Sequence, residues 1–367
     1  MPIDSEPGFL AEEPTAPTQL QLTMAAVAPG TALRDGLERI LRGRTGALIV
    51  LGWNREIEAI CNGGFTLNTE FSAARLRELA KMDGAVVLDN GATIIRRAAV
   101  HLAPDTAGSA DESGTRHRTA QLVSQQTGFP VVTVSRSMSI ISIFIDGVRH
   151  VLEPPEQVLA KANQALATLE RYRHRLDEVA TAMSALEVED LVTVRDVALL
   201  VQRSEMLRRI TDEIAGYATE LGDDGRLVTL QMDDLDAGVG SQYLLVLADY
   251  LPNGHSQDDI VAVNARLHRL ESQQLLDLSA ILSCLGLAAH GGNLDSAITT
   301  RGIRQLHKIP RLPNLIIHRL VNRFGTLPRM LAADQEQLMR VEGVGEHRAQ
   351  LIREGLTRLT ESSVLEH

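Results

Sequence analysis

The stretch Ser113-Gly114-Thr115-Arg116-His117-Arg118-Thr119-Ala120 carries the residue types that hold phosphate at the mouth of a helix. Small and hydroxyl residues leave backbone N–H groups free to point at an anion, and the helix dipole favours negative charge there. Arginine adds planar, permanently charged donors. An ordinary helix start with two solvated arginines would have the same local sequence. Upstream, Asp83-Gly84-Ala85 follows Leu79, Ala80 and Met82 and precedes Val86-Val87-Leu88, so Asp83 is expected where a helix ends and a strand begins. Asp-Gly is also a frequent turn dipeptide. Set opposite an arginine-lined phosphate site, the Asp83 carboxylate makes a good magnesium or manganese ligand.

A second pattern of this kind lies near the C-terminus. Leu338 and Val341 have the spacing of one helix, Gly343-Val344-Gly345 reads as a tight turn, and Ala349 and Ile352 carry a second helix onto the same core. Glycines let a backbone come close to a phosphate, and the N–H groups opening the second helix can bind it. This stretch resembles a helix-hairpin-helix DNA-binding motif, with Gly343, Val344, Gly345 and Arg348 as its phosphate contacts. Residues 306–317 look like a degenerate copy in which Pro310 and Pro313 stand where donors would be needed. Asp233-Asp234-Leu235-Asp236 lacks the Gly and distal Glu of a calcium loop and reads as a solvated acidic turn.

Elements must position these groups. Apolar runs at Ala47 to Leu51, Gly84 to Leu88, Thr93 to Val100, Val131 to Ser135 and Ser139 to Val148 predict strands. Helical spacing covers 33–41, 72–81 and 116–127. Alternation of the two, with some strands adjacent, indicates a mixed α/β sheet. Long periodic stretches at 155–184 and 192–221, then 258–267 and 272–285, predict an all-helical region that carries no chemical motif. The division is a disordered arm over 1–29, an α/β domain over 30–152, an all-α linker over 153–290 and a helix-hairpin-helix domain over 291–367. The arm has Pro, Glu and Thr and no basic, apolar leader.

The 367 residues carry a net charge of −11, which excludes a protein that coats nucleic acid along its whole surface. Yet residues 301–360 hold ten Arg and one Lys against five acidic residues, so any nucleic-acid contact is localised there. Cys61 and Cys284 match no metal or redox spacing and fit a reducing compartment. No run is long and apolar enough to span a bilayer, and a cytoplasmic location is expected.

Asp83-Gly84-Ala85 and Gly114 to Ala120, in this order and spacing, resemble the DGA and RHR signatures of the diadenylate cyclase family. From about residue 30 onward the chain resembles those members that continue into a helical linker and a helix-hairpin-helix domain. The resemblance implies condensation of two ATP into cyclic di-AMP with release of two pyrophosphates. It also implies a homo-octamer whose cyclase domains meet face to face, and repression by branched or junction DNA as part of a DNA integrity checkpoint. Asp83 would then bind Mg2+ or Mn2+ and help activate a 3′-hydroxyl. Arg116 and Arg118 would hold the triphosphate, with Thr115 and Thr119 as partners and Gly84 and Leu102 lining the nucleotide. His117 either contacts phosphate or is buried for packing. Ser135 and Arg136 either reach a phosphate or form a turn. The competing function is a nucleotide-sensing, non-catalytic protein that binds DNA junctions.

Overall fold

A computed structural model describes residues 18–105, 114–252, 257–287 and 293–365. Ser113 of the phosphate-binding stretch lies outside them, as do residues 1–17 of the expected arm. The described residues divide into two compact units, one of 18–164 with Ile214–Leu230, the other of 165–213 with 231–365. The linker helices are thus shared between the units rather than forming a third.

The first unit is α/β. In chain order it contains α1 (Gln19–Ala26), α2 (Ala32–Arg42), β1 (Ala47–Leu51), α3 (Arg55–Ile60), β2 (Cys61–Asn62), β3 (Phe65–Glu70), α4 (Ala73–Leu79), β4 (Ala85–Leu88), β5 (Ile94–Leu102), α5 (Thr115–Thr127), β6 (Val131–Ser135), β7 (Ile140–Ile145) and β8 (Val148–Leu152). The sheet order is β2-β5-β4-β1-β6-β7-β8, with β3 beside β2 on the same edge of β5. β1 and β4 are parallel, and β5 and β6 run antiparallel to them. All five residues of β1 are buried. Ala47, Ile49 and Leu51 pack on one face with Leu33, Leu37 and Ile40 of α2 and Leu76 of α4. Leu48 and Val50 pack on the other with Ile57 of α3 and Ala120 and Val123 of α5. A strand covered on both faces must read as an unbroken apolar run, as this one does.

Three expectations need correction. The disordered arm does not extend to residue 29: α1 is folded there, with Thr18 and Gln21 forming a reciprocal capping box, and Val27 and Ala28 are buried. Its pattern hides it, since Leu22 is exposed and Thr23 is buried. The strand expected over 139–148 is a hairpin, because Asp146 and Gly147 both take positive φ and make a two-residue turn between β7 and β8. The acidic turn at 233–236 is instead the end of a helix, α8 below.

Helices α6 (Pro155–Glu189), α7 (Val194–Leu221), α8 (Arg226–Asp236), α9 (Val239–Tyr250), α10 (Gln257–His268), α11 (Ser272–Leu275) and α12 (Leu278–Leu285) form the linker. The chain then continues as α13 (Ile303–Leu306), α14 (Asn314–Phe324), α15 (Leu327–Leu331), α16 (Gln335–Met339) and α17 (Glu346–Leu365). None of the described helices is long and apolar enough to cross a membrane.

Within the second unit a buried polar network ties α13 to the linker. Glu187 is fully buried and accepts from Arg304 Nη2 (2.8 Å), Gln305 Nε2 (2.5 Å) and the Tyr250 hydroxyl (2.8 Å). Asp249, also buried, accepts from the backbone N–H groups of Ile303 (2.7 Å) and Arg304 (2.8 Å). Burial first, and the Glu187 carboxylate second, push the Asp249 pKa up to about 7.

Candidate active site

Strand register places the candidate residues at one end of the sheet. Asp83 and Gly84 lie in the turn that delivers α4 to β4. β5 runs the other way, and Ala85 pairs with Val100, so Leu102 ends β5 beside that turn. β1 is parallel to β4, so Gly46, just before it, opens at the same end. Ala47 pairs with Val134, which brings Ser135, the last residue of β6, alongside Gly46. α5 runs back from this end, for its last turn leads through Gly128 and Pro130 into the start of β6. The first turn of α5 therefore joins the group. Adjacent strands are about 4.8 Å apart, so the whole set lies within a few strand spacings. Pockets of α/β sheets usually open at the carboxyl ends of parallel strands. Here those carboxyl ends belong to the antiparallel partners β5 and β6, and the parallel pair contributes its amino ends.

Local packing explains the sequence at several positions. Gly84 has φ +110°, and a Cβ there would stand 2.6 Å from the carbonyl carbon of Ala99 and 2.8 Å from the nitrogen of Val100. The turn bearing Asp83 is thus pressed onto the irregular stretch of β5 where Ala99 itself has φ +52°. Asp83 is exposed and makes no ion pair among the described residues. Gly114 begins α5 without a side-chain cap, which leaves the N–H groups of the first turn available to an anion. Arg116 and Arg118 project exposed from that turn. The Arg116 guanidinium lies across Gly46, where any Cβ would overlap Nη1 and stand 3.0 Å from Cζ. Sequence reasoning missed Gly46, because a glycine ahead of an apolar run looks like an ordinary turn.

The remaining candidates divide by role. Thr115 is exposed at the helix start, while the Thr119 hydroxyl donates back to the Thr115 carbonyl (2.9 Å). His117 turns inward, its ring 6.0 Å from that of Phe144, which fits a packing role. Gly114 leaves it room, since a Cβ there would stand 3.2 Å from His117 Nδ1. The Leu102 side chain is buried in the core, so only its backbone faces the site end. The Ser135 hydroxyl is engaged in the β6–β7 turn, 3.3 Å from Ser137 Oγ and accepting from the Met138 N–H. Arg136 is exposed beside it.

The donor set bears on metal binding. Among the described residues no three His, Cys, Asp or Glu side chains gather into a cage. A lone exposed carboxylate fits an ion shared with a substrate's phosphates, as Mg2+ usually is, and does not fit a resident all-protein site.

In the C-terminal part, α16 and α17 flank the 343–345 turn, and α13 and α14 flank residues 307–313. Both hairpins bury apolar residues in one core, Ile309, Leu312 and Ile316 from the first and Val341, Val344, Ala349 and Ile352 from the second. Gly343 has φ +84°, and Arg311 occupies the matching place in the other turn with φ +63°. Pro313 replaces the donor ahead of α14, so that copy keeps the geometry and loses an N–H. Val344 is buried, and a Cβ on Gly345 would meet nothing within 4 Å, so the protein itself does not require glycine there. Arg348 donates to the Gly343 carbonyl and Arg319 to the Glu342 carbonyl, which braces the turn from both sides.

Comparison with known proteins bears on the whole chain. Residues 34–149 match the family model described as DisA bacterial checkpoint controller nucleotide-binding, and residues 152–294 match that of the DisA bacterial checkpoint controller linker region. The DNA integrity scanning protein DisA of Acidothermus cellulolyticus is 56% identical over 358 residues, covering 96% of this chain and 96% of that protein. The protein of the same name from Kineococcus radiotolerans is 56% identical over 347 residues, 95% of this chain and 97% of that one. The one from Streptomyces griseus is 54% identical over 349 residues, 95% and 93% respectively.

Proposed function

The chain belongs to the DisA family of bacterial checkpoint controllers, and from that premise we propose that it is a diadenylate cyclase whose activity answers to branched DNA. Two ATP molecules become cyclic di-AMP and two pyrophosphates. In each half-reaction the 3′-oxygen of one nucleotide bonds to the α-phosphorus of the other, the bond to the β-phosphate oxygen breaks, and the hydroxyl proton is lost to solvent or to a carboxylate. One observation carries this reading: the sheet brings the Asp83-Gly84 turn and the uncapped, doubly arginine-bearing start of α5 to the same end.

Each cyclase domain would hold one ATP, so turnover needs two domains opposed across their sites, and a homo-octamer satisfies that need. Arg116, Arg118 and the N–H groups opening α5 would grip the triphosphate and stabilise the charge that gathers on pyrophosphate. Gly84 and the backbone at Leu102 would border the nucleotide, and Thr115 and Arg136 would add polar contacts at the rim. Asp83 would stand near the attacking hydroxyl and hold Mg2+ or Mn2+ jointly with the phosphates. When bound, such an ion supplies charge neutralisation and makes the hydroxyl more acidic. Catalysis is then mainly positioning and electrostatics.

The paired hairpins are read as a helix-hairpin-helix domain that holds DNA backbone at Gly343 to Gly345. The excess of basic residues over 301–360 supports this. The test is to incubate the protein with ATP and either metal and resolve the products by chromatography beside Asp83→Asn. Cyclic di-AMP from the wild type alone is expected. Equal product from both proteins would remove Asp83 from the chemistry, and ATP binding without product from either would leave a nucleotide sensor.

A further inference from the structure

The basic residues of the C-terminal unit are not alike. Arg301 donates to the carbonyls of Ala248, Asp249 and Leu251, and Arg304 pairs with Glu187. Arg319, Arg348 and Arg353 donate to the carbonyls of Glu342, Gly343 and Ala333. These five guanidiniums hold the fold. Arg323, Arg329 and Arg340 form no such bond and no ion pair among the described residues, yet all three line one cleft of about 420 Å³ with Phe324 and Gln337. Arg323 and Phe324 end α14, Arg329 lies on α15, and Arg340 caps the end of α16.

Three unpaired forks converging on a concave surface repel one another unless an anion sits between them. Their planar donors match phosphate oxygens bidentately. Phe324 is half-buried against the core and gives the cleft an apolar wall, which suits a sugar or base face beside the phosphates. The acidic residues nearest in sequence do not neutralise it. Asp334 is turned into the cap of α16, where it accepts from the Gln337 N–H (2.8 Å), Glu342 pairs with Arg319 (3.4 Å), and Glu336 is exposed and forms no ion pair among the described residues. None of the cleft residues belongs to the 343–345 turn or to α17. The unit thus has two phosphate-receptive places built from different elements.

We propose that the Arg323–Arg329–Arg340 cleft binds the phosphate backbone of a second DNA arm, while the 343–345 turn holds the first. The proposal rests on the reading of the paired hairpins as a DNA-binding domain. Two such places on one unit would let it prefer a branched DNA, whose arms present two backbones at once, over a linear duplex that presents one. The wild type and the Arg323→Gln/Arg329→Gln/Arg340→Gln variant are titrated with a four-way junction and with a linear duplex of equal arm length, at several salt concentrations. Thermal melting and the cyclase rate without DNA serve as checks that the fold and basal activity are intact.

The expected result is a fall of at least tenfold in junction affinity, with linear-duplex affinity held within about twofold. The slope of log affinity against log salt for the junction becomes shallower by roughly 2 to 3, from about 0.9 per lost phosphate contact. Unchanged junction binding, or an equal loss on both DNAs, overturns the proposal while leaving the hairpin reading intact. A wild type that binds neither DNA overturns both. Arg340→Glu alone provides a second check: if the cleft holds backbone it must lower junction affinity more than linear affinity.

Discussion

Replacing Gly46 by alanine tests the active-site reading at a residue with no side chain of its own. Gly46 does not adopt positive φ, and the nearest backbone atom to a new methyl would be the Val134 carbonyl oxygen at 3.4 Å. The backbone therefore accepts alanine, and the loss of glycine freedom in the unfolded chain favours folding by about 0.4–1 kcal/mol. The methyl would, however, occupy the space of the Arg116 guanidinium. Arg116 is the far end of a flexible side chain, so it moves and the methyl stays. A guanidinium displaced from a phosphate forfeits a charge-assisted hydrogen bond, about 1.5–3 kcal/mol. At 1.4 kcal/mol per decade that is roughly a 10- to 150-fold drop in kcat/KM for ATP. Steady-state production of cyclic di-AMP measures the drop, and thermal melting shows that Tm has not fallen. In a double-mutant cycle Gly46→Ala and Arg116→Gln must be strongly non-additive, since both remove the same contact. A Gly46→Ala enzyme within twofold of wild type, or additive effects, would refute the placement of Arg116 on the triphosphate.

Other consequences concern the buried network of the second unit. Arg304→Met keeps the length of the side chain and strands the Glu187 carboxylate, which should cost about 3–5 kcal/mol at pH 8 in urea unfolding, and Glu187→Gln on top should recover part of it. Asp249, whose pKa is raised to about 7, keeps in the native state a proton that the unfolded chain has released above its ordinary value of 3.8. Its contribution to stability is greatest at low pH, falls as pH rises from about 4 to 7, and is level beyond. Asp249→Asn should flatten the difference in urea midpoint between pH 5 and pH 8, and an unchanged difference would mean that another group titrates.

What the sequence made legible was local chemistry and continuous pattern. β1 is apolar at every position because both its faces are covered, and α5 announces itself through Gly114, Thr115 and the arginines. Asp83 stands in its helix-to-strand turn as its neighbours predict. What escaped depends on partners distant in sequence. Gly46 matters only because Arg116, seventy residues on, lies across it. β3 is largely exposed and broken by a register shift near Asn68, so it shows no alternation to read. The two classes of arginine over 301–360 look identical in sequence, and only the carbonyls of Ala248, Ala333 and Glu342 separate them.

The bare amino end of α5 has a consequence for how the enzyme's state can be followed. No side chain of the described residues caps that helix, so its first turn is completed only when something else accepts from those N–H groups. A triphosphate placed there is, while it stays, a piece of the fold. The Arg118 N–H already donates to the Gly114 carbonyl (2.8 Å), so occupancy should appear as slowed amide exchange at Thr115, Arg116 and His117, and departure of pyrophosphate as its return. The helix thereby becomes a built-in reporter of each half-reaction.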